Sequence, residues 1–434
     1  MDLNLFFALL GALLVLAFVA NRLVRFTGVP DVIILLLAGV VLGPLLHVVD
    51  PDVFRGATDG FGSLALVLIL FEGGLDLKLK EVAAYFGSGF FLSVACYVAS
   101  TAAVGLSCRL LLHLPWISAL LIGAVLGCVS SAIVLPVLQQ IRLRDQVRLT
   151  LLVEASLGDA LAVLAVTTLL QIAAGNSTSV GVVSWALLSS LLLAAGCGVV
   201  AGILWSWLLP VLSDQRFWHV LTFGAVLLVY AGVHALQGNS LVGVLVFGIT
   251  LANYRAVRKE IQEAMQPSRL DWFAEVPIRA GSGWSAREQM LSFHGELAFL
   301  IRTFFFVLLG ALVNFAGLRR YLLLSLACFV ALVLARVLVV ESCRFAWRGL
   351  TALEREIMIW LLPRGLITAV LALQVHATLS KQLQFLPDLA FAIILVSNVV
   401  LLGGTIRARR LPTETRTETG TAPETPDAAP IFPE

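Results

Sequence analysis

The stretch VEASLGDALAVL, Val153–Leu164, lies inside a run from Thr150 to Ala174 that is otherwise almost free of charge. A helix rises about 1.5 Å per residue, so roughly 20 residues cross the ~30 Å hydrocarbon layer of a bilayer. The run is long enough to do so, yet it carries two carboxylates, Glu154 and Asp159. An ionised group at the centre of a membrane helix costs roughly 2.5–3.5 kcal/mol on insertion scales, so each needs a partner, water or a task. Five positions apart, the two project about 140° apart around a helix axis, and they cannot share one narrow face. They therefore have different tasks.

Gly158, beside Asp159, leaves a bare patch of backbone where another helix or a hydrated ion can come close. Asp159 is expected to face a cavity, where its carboxylate is neutralised either by a proton or by a bound cation. The two occupants compete. If the cavity opens to one side at a time, that competition exchanges protons for cations without covalent chemistry. For Glu154 an arginine from another helix is the natural partner, and Arg336 in LACFVALVLARVLVV is the candidate at the middle of a span.

The rest of the chain has the same character. Of its 434 residues 59% are hydrophobic and 13% charged, against about one quarter charged in a soluble domain. Breaks at Pro, Gly and charge clusters give thirteen candidate spans, at about 3–25, 30–48, 59–77, 83–109, 116–140, 150–173, 183–209, 217–236, 240–254, 294–315, 321–343, 353–378 and 385–405. They are too long and too uniformly apolar for barrel strands, so an all-α polytopic bundle is expected. The first run is read as a span and not a secretory signal, because it has no positive leading region, carries Asp2, and is followed by Arg22 and Arg25. The cysteines at 96, 108, 128, 197, 328 and 343 show no close pairing along the chain and read as buried packing residues. No basic, aromatic-interleaved patch points to nucleic acid. No zinc motif or supported Ser/Lys dyad points to an enzyme, and no cofactor is expected.

Orientation follows from the loops. With the N-terminus outside, Arg22, Arg25, Lys78, Lys80, Arg142, Arg144, Arg148, Arg216, the basic residues between Arg255 and Arg287, Arg344, Arg348, Arg355 and the arginines of the tail all lie inside. Only Arg55, Arg109, Arg319, Arg320 and Lys381 lie outside. The connection over 255–293 reads as a cytoplasmic surface loop, and the Pro-, Thr- and Glu-rich segment 406–434 as a disordered cytoplasmic tail.

Subtracting the loop charges leaves Glu72, Glu154, Asp159, Glu296, Arg302, Arg336 and Arg364 within the bundle. Glu296 and Arg302 are about 240° apart on a helix and are not mutual partners. The fifth span, GAVLGCVSSAIVLPVL (123–138), and the twelfth, WLLPRGLITAVLAL (360–373), interrupt apolar runs with small, hydroxyl, Pro and Gly residues. They occupy corresponding places if spans 1–6 and 8–13 are inverted repeats, and paired broken helices in such repeats point to a mid-membrane ion site. Ser130, Ser131 and Pro136 can also be read as a packing kink.

At these residues the chain resembles the monovalent cation:proton antiporter superfamily, over about residues 1–405. The matching stretches are VPDVIILLLAGVVLGP (29–44), LILFEGGLDLKLKEV (68–82), VEASLGDALAV (153–163), ELAFLIRTFFFVLLGALV (296–313), LARVLVV (334–340) and LLPRGLITAVLAL (361–373). The resemblance is to the sodium/proton exchanger branch, with a fifth helix similar to the potassium-efflux branch. It implies that Asp159 is the ion- and proton-carrying aspartate, with Gly158, Val129, Ser130 and Ser156 around it, and Na+ or K+ as the transported metal. It further implies that Glu154 and Arg336 form a core ion pair, that Arg364 is the charge of a broken helix, either capping its carbonyls or acting on Asp159 through its field, and that Glu72 is a possible pathway acid. It implies a homodimer in the cell membrane, with core spans at about 83–173 and 321–405 and interface spans at about 3–77 and 183–315. Two departures stand out. Gly158 stands where that branch usually has Asn, and Val129-Ser130 where it usually has Thr-Asp. The expected function is therefore electroneutral exchange of Na+ or K+ for protons; a gated potassium-efflux pathway and a non-transporting sensor on the same fold are the alternatives.

Overall fold

The computed structural model describes residues 11–20, 22, 30–47, 58–77, 85–141, 143–173, 180–212, 217–264, 282–343, 350–379 and 382–410. Among them there are helices and no strand. In chain order these are α1 (Gly11–Ala20), then α2 (Asp31–Val40), which continues as a π-helical turn Val41–Leu45 around Pro44, α3 (Thr58–Asp76), α4 (Phe86–Leu112), α5 (Trp116–Gly127), α6 (Ser131–Gln140), α7 (Asp145–Ala173) and α8 (Val180–Leu212). They are followed by α9 (Trp218–Ala235), α10 (Ser240–Ala264), α11 (Ser282–Ala311), α12 (Phe315–Arg320), α13 (Leu322–Ser342), α14 (Ala352–Trp360), α15 (Leu366–Thr378) and α16 (Leu386–Arg410). Among the described residues eight apolar spans are long enough to cross a bilayer, α5 and α6 together counting as one, and five shorter apolar helices accompany them. The outward faces are apolar too: Leu192, Val200 and Leu204 of α8 and Leu323, Leu334 and Leu338 of α13 are exposed, as lipid-facing positions require.

Two packing groups are evident. In one, α4 lies against α5, α7 and α13; in the other, α10 lies against α3, α8 and α9, while α2 pairs with α11. The second group is built on paired glycines. A Cβ on Gly39 would fall 2.8 Å from Gly310 Cα, and one on Gly74 would fall 3.1 Å from Gly248 Cα. Backbones so close gain dispersion contacts along their length, the means by which helices associate where no hydrophobic drive separates them from lipid.

Both expected interruptions are present. Helix α5 stops at Gly127, Cys128 and Ser130 are extended, and α6 resumes at Ser131. Helix α14 opens on a capping box, with the Thr351 side chain accepting from the Glu354 N–H, and stops at Trp360. The chain then runs non-helically through Leu361–Gly365, and α15 resumes at Leu366. Pro363 has no N–H and disfavours helix at the residue before it, which breaks the second helix here.

The connection expected as a loop over 255–293 is helical at both ends, since α10 runs on to Ala264 and α11 begins at Ser282. RAVRKEIQEA (255–264) is rich in good helix formers and simply prolongs α10. The apolar cluster Leu270–Val276 lies outside the described residues, as do Arg25, Arg55, Lys78, Lys80, Arg142, Arg216, Arg344, Arg348, Lys381 and the tail from residue 411. Two cysteines that are far apart in sequence meet. Cys108 of α4 and Cys328 of α13 have Sγ atoms 3.8 Å apart, both thiols being free. His47 and His113 end their helices with φ of 52° and 53°, a left-handed conformation that His adopts more readily than most residues.

Candidate ion site at the crossing of two broken helices

The two interruptions touch. The Ser130 N–H donates to the Pro363 carbonyl at 3.0 Å, and the place of a Cβ on Gly365 is taken by the Ser130 side chain, so only glycine fits there. Cys128 Sγ lies 3.7 Å from Thr368 Oγ1. On the far side α16 closes the crossing: Ser397 Oγ accepts the Arg364 N–H at 3.0 Å, and Asn398 Nδ2 donates to the Arg364 carbonyl at 2.9 Å. Helix breaks leave backbone groups without helical partners, and these contacts satisfy part of that demand inside the bundle.

Asp159 is 3% exposed and sits at the start of α6. Its Oδ2 accepts the Ser131 N–H at 3.1 Å and the Ser131 hydroxyl at 2.6 Å. A carboxylate at a helix N-terminus is favoured by the orphan N–H groups and by the positive end of the helix dipole. Oδ1 has no hydrogen-bond partner, and Asp159 forms no salt bridge among the described residues. Beside it, a Cβ on Gly158 would lie 3.7 Å from Ser93 Oγ and 3.9 Å from the Val129 nitrogen, which is ordinary contact. The position thus faces the backbone of the α5–α6 break without being squeezed by it.

Of the residues that the sequence singles out, Gly158 adjoins Asp159 in the chain and faces the Val129 backbone, but the serine on the carboxylate is Ser131. Ser130 instead turns to Pro363 and Gly365. The physical reason is the break: Ser130 is extended, with φ −78° and ψ 117°, so helical spacing does not carry through and the next residue faces Asp159. Ser156 is buried on α7 and makes no hydrogen bond to Asp159 among the described residues.

Glu154 and Arg336 are each 3% exposed and pair through both guanidinium nitrogens, Nη1 with Oε1 and Nη2 with Oε2, the latter at 3.0 Å. The Arg336 Nε–H donates to the Met358 carbonyl at 2.8 Å. Met358 lies in the last turn of α14, so Arg336 brings its positive charge to the carbonyl end of that half-helix. That capping was one of the two tasks expected of Arg364. Arg364 is 2% exposed, and its Nε and Nη1 have no hydrogen-bond partner.

The remaining bundle charges lie elsewhere. Glu72 rests against Gly295 of α11, and Glu296 is exposed. Arg302 pairs with Asp31, its Nη2 lying 3.2 Å from Oδ2. Asp31, Ser397 and Asn398 escape a reading by span: the first stands beside Pro30 at a helix start, and the other two form a polar pair inside an apolar run that would have flagged them.

The family model described as "Sodium/hydrogen exchanger, transmembrane" matches residues 9–408. The chain is 26% identical over 431 residues to the K(+)/H(+) antiporter NhaP of Alkalimonas amylolytica, spanning 96% of this chain and 68% of that one. To the Na(+)/H(+) antiporter 1 of Methanocaldococcus jannaschii it is 24% identical over 407 residues, spanning 89% and 87%. The solved structure of the sodium proton antiporter MjNhaP1 from the same organism superposes with a TM-score of 0.72 at 22% identity, over 94% of this chain and 97% of that one, and shares its fold. This chain is therefore an integral membrane protein belonging to the transmembrane sodium/hydrogen exchanger family.

Proposed function

We propose that the protein exchanges a monovalent cation, Na+ or K+, for a proton across a membrane, with Asp159 carrying one or the other and never both. The observation that carries this reading is a deeply buried carboxylate that forms no salt bridge among the described residues, with Oδ1 unpartnered, at the positive end of half-helix α6. Such a group is costly in the interior unless a proton or a cation neutralises it. Relatives named as K(+)/H(+) and Na(+)/H(+) antiporters support the class of cargo.

Asp159 lies almost wholly covered, and we read this arrangement as a closed one between two open states. The group built on α4, α5, α7 and α13, with α6 and α14–α16, is the moving core; the group containing α2, α3 and α8–α11 is the interface domain, through which two copies associate. The N-terminus faces outward and the C-terminus the cytoplasm. With one carboxylate at the crossing, and Val129-Ser130 in place of a second acid, one proton moves per cation and no net charge is transferred. The transported cation is cargo, and no resident cofactor takes part.

The test is proton movement in proteoliposomes driven by separate Na+, K+ and Li+ gradients, with the voltage clamped by an ionophore. Saturable movement that persists under the clamp and follows a bell-shaped pH profile supports exchange. Currents far above carrier turnover, or silence in every gradient, would contradict it.

A further inference from the structure

Pro136 sits inside α6 and has no N–H, so the carbonyl four residues before it, that of Ala132, lacks its helical donor. Ala132 follows Ser131, the residue bonded twice to Asp159. The group that reaches this carbonyl comes from another helix: Arg302 Nη1 of α11 donates to it at 3.5 Å. Arg302 is held in turn by Asp31 of α2, whose Oδ2 meets Nη2 at 3.2 Å while Oδ1 accepts the Val32 N–H at 3.0 Å. The guanidinium lies 5.7 Å from the centre of the Phe299 ring, and its Nε has no hydrogen-bond partner. Arginine is thus well paired on its own side and only lightly bonded to α6. A contact that must break in every cycle has to be of this kind.

We infer that Arg302 is a positioning residue for the exchange: anchored on α2 by Asp31, it crosses to the carbonyl that Pro136 leaves open and latches the first turn of α6, which carries Ser131. The inference rests on the alternating-access reading above, in which α6 moves against α2 and α11. In that motion the bond to Ala132 is released while the pair with Asp31 is kept. Arg302 then sets how firmly Ser131 is presented to Asp159 in the closed arrangement, without touching the ion.

Full-length protein in proteoliposomes tests this through a double-mutant cycle with Pro136→Ala, which returns a backbone donor to the Ala132 carbonyl and makes the arginine dispensable there. Arg302→Met is expected to change the apparent cation affinity about fivefold, as for one weak hydrogen bond, with the maximal rate kept within about twofold. Amide hydrogen exchange over residues 131–134 should quicken. In the Pro136→Ala background the same substitution should do neither. An Arg302→Met protein with unchanged affinity and unchanged exchange protection overturns the latch, and so does full additivity with Pro136→Ala. Should Arg302→Met fail to fold, Asp31→Asn, which loosens the anchor, must produce the same affinity change, or the inference falls. Loss of cation/proton exchange in the unaltered protein would instead defeat the antiport reading itself.

Discussion

Ser131 holds Asp159 by two bonds to the same oxygen, its N–H at 3.1 Å and its hydroxyl at 2.6 Å from Oδ2, and leaves Oδ1 without a hydrogen-bond partner, the face that the proposed exchange needs for a cation or proton. Hydroxyl donation favours the charged, cation-binding form. Ser131→Ala removes one charge-assisted bond, of about 1.5 kcal/mol, and should weaken apparent cation affinity about tenfold in the vesicle assay. Ser131→Thr keeps the hydroxyl and should stay near the starting value, whereas Ser130→Ala, at the crossing but not on the carboxylate, should change affinity less than Ser131→Ala.

The Glu154–Arg336 pair is read as a structural one. Removing one partner leaves the other charge buried and unpaired, a cost of roughly 3–5 kcal/mol. Glu154→Gln and Arg336→Met should therefore lower the thermal midpoint and yield of detergent-solubilised protein sharply. Arg336→Lys should rescue little, because its three N–H groups radiate from one nitrogen and lack the planar fork whose separate nitrogens reach both carboxylate oxygens and the Met358 carbonyl. A Glu154→Gln protein of normal stability with altered cation affinity would refute the assignment.

Adjacent glycines give a sharp packing test. Nothing lies within 4 Å of a Cβ on Gly73, whereas one on Gly74 would meet the Ile249 nitrogen at 3.0 Å and Gly248 Cα at 3.1 Å. Gly73→Ala should leave the thermal midpoint unchanged or raise it slightly, since alanine favours helix. Gly74→Ala should cost roughly 1–3 kcal/mol as α3 and α10 are pushed apart.

Gly158 faces the break at Val129 with room for a methyl group. Gly158→Ala is expected to keep exchange within about twofold of the starting rate. Gly158→Leu, too long for the space before the Val129 backbone, should abolish it. Measuring initial rates of both in one vesicle preparation checks the pair.

Much of this arrangement is legible in the chain, for reasons of cost. Charges are so unfavourable inside an apolar run that Glu154, Asp159, Arg336 and Arg364 stand out, and breakers such as Pro363 and Gly365 mark where helices stop. Geometry that depends on three-dimensional approach is not legible in the same way. Helical spacing cannot tell Ser130 from Ser131 across a break, because the extended Ser130 resets the register. Asp31 and Arg302 lie on different helices, as do Cys108 and Cys328, and no periodicity links residues so far apart. The role of Pro136 emerges only when Arg302 is seen at the Ala132 carbonyl.

Competition at one carboxylate is the centre of the account, and proton release from purified protein on addition of cation tests it most directly. Titrating Na+ or K+ into weakly buffered, detergent-solubilised protein should release protons saturably, close to one for each cation bound, and Asp159→Asn should release none while remaining folded. Undiminished release from folded Asp159→Asn, or cation binding by the unaltered protein with no proton released, would contradict it.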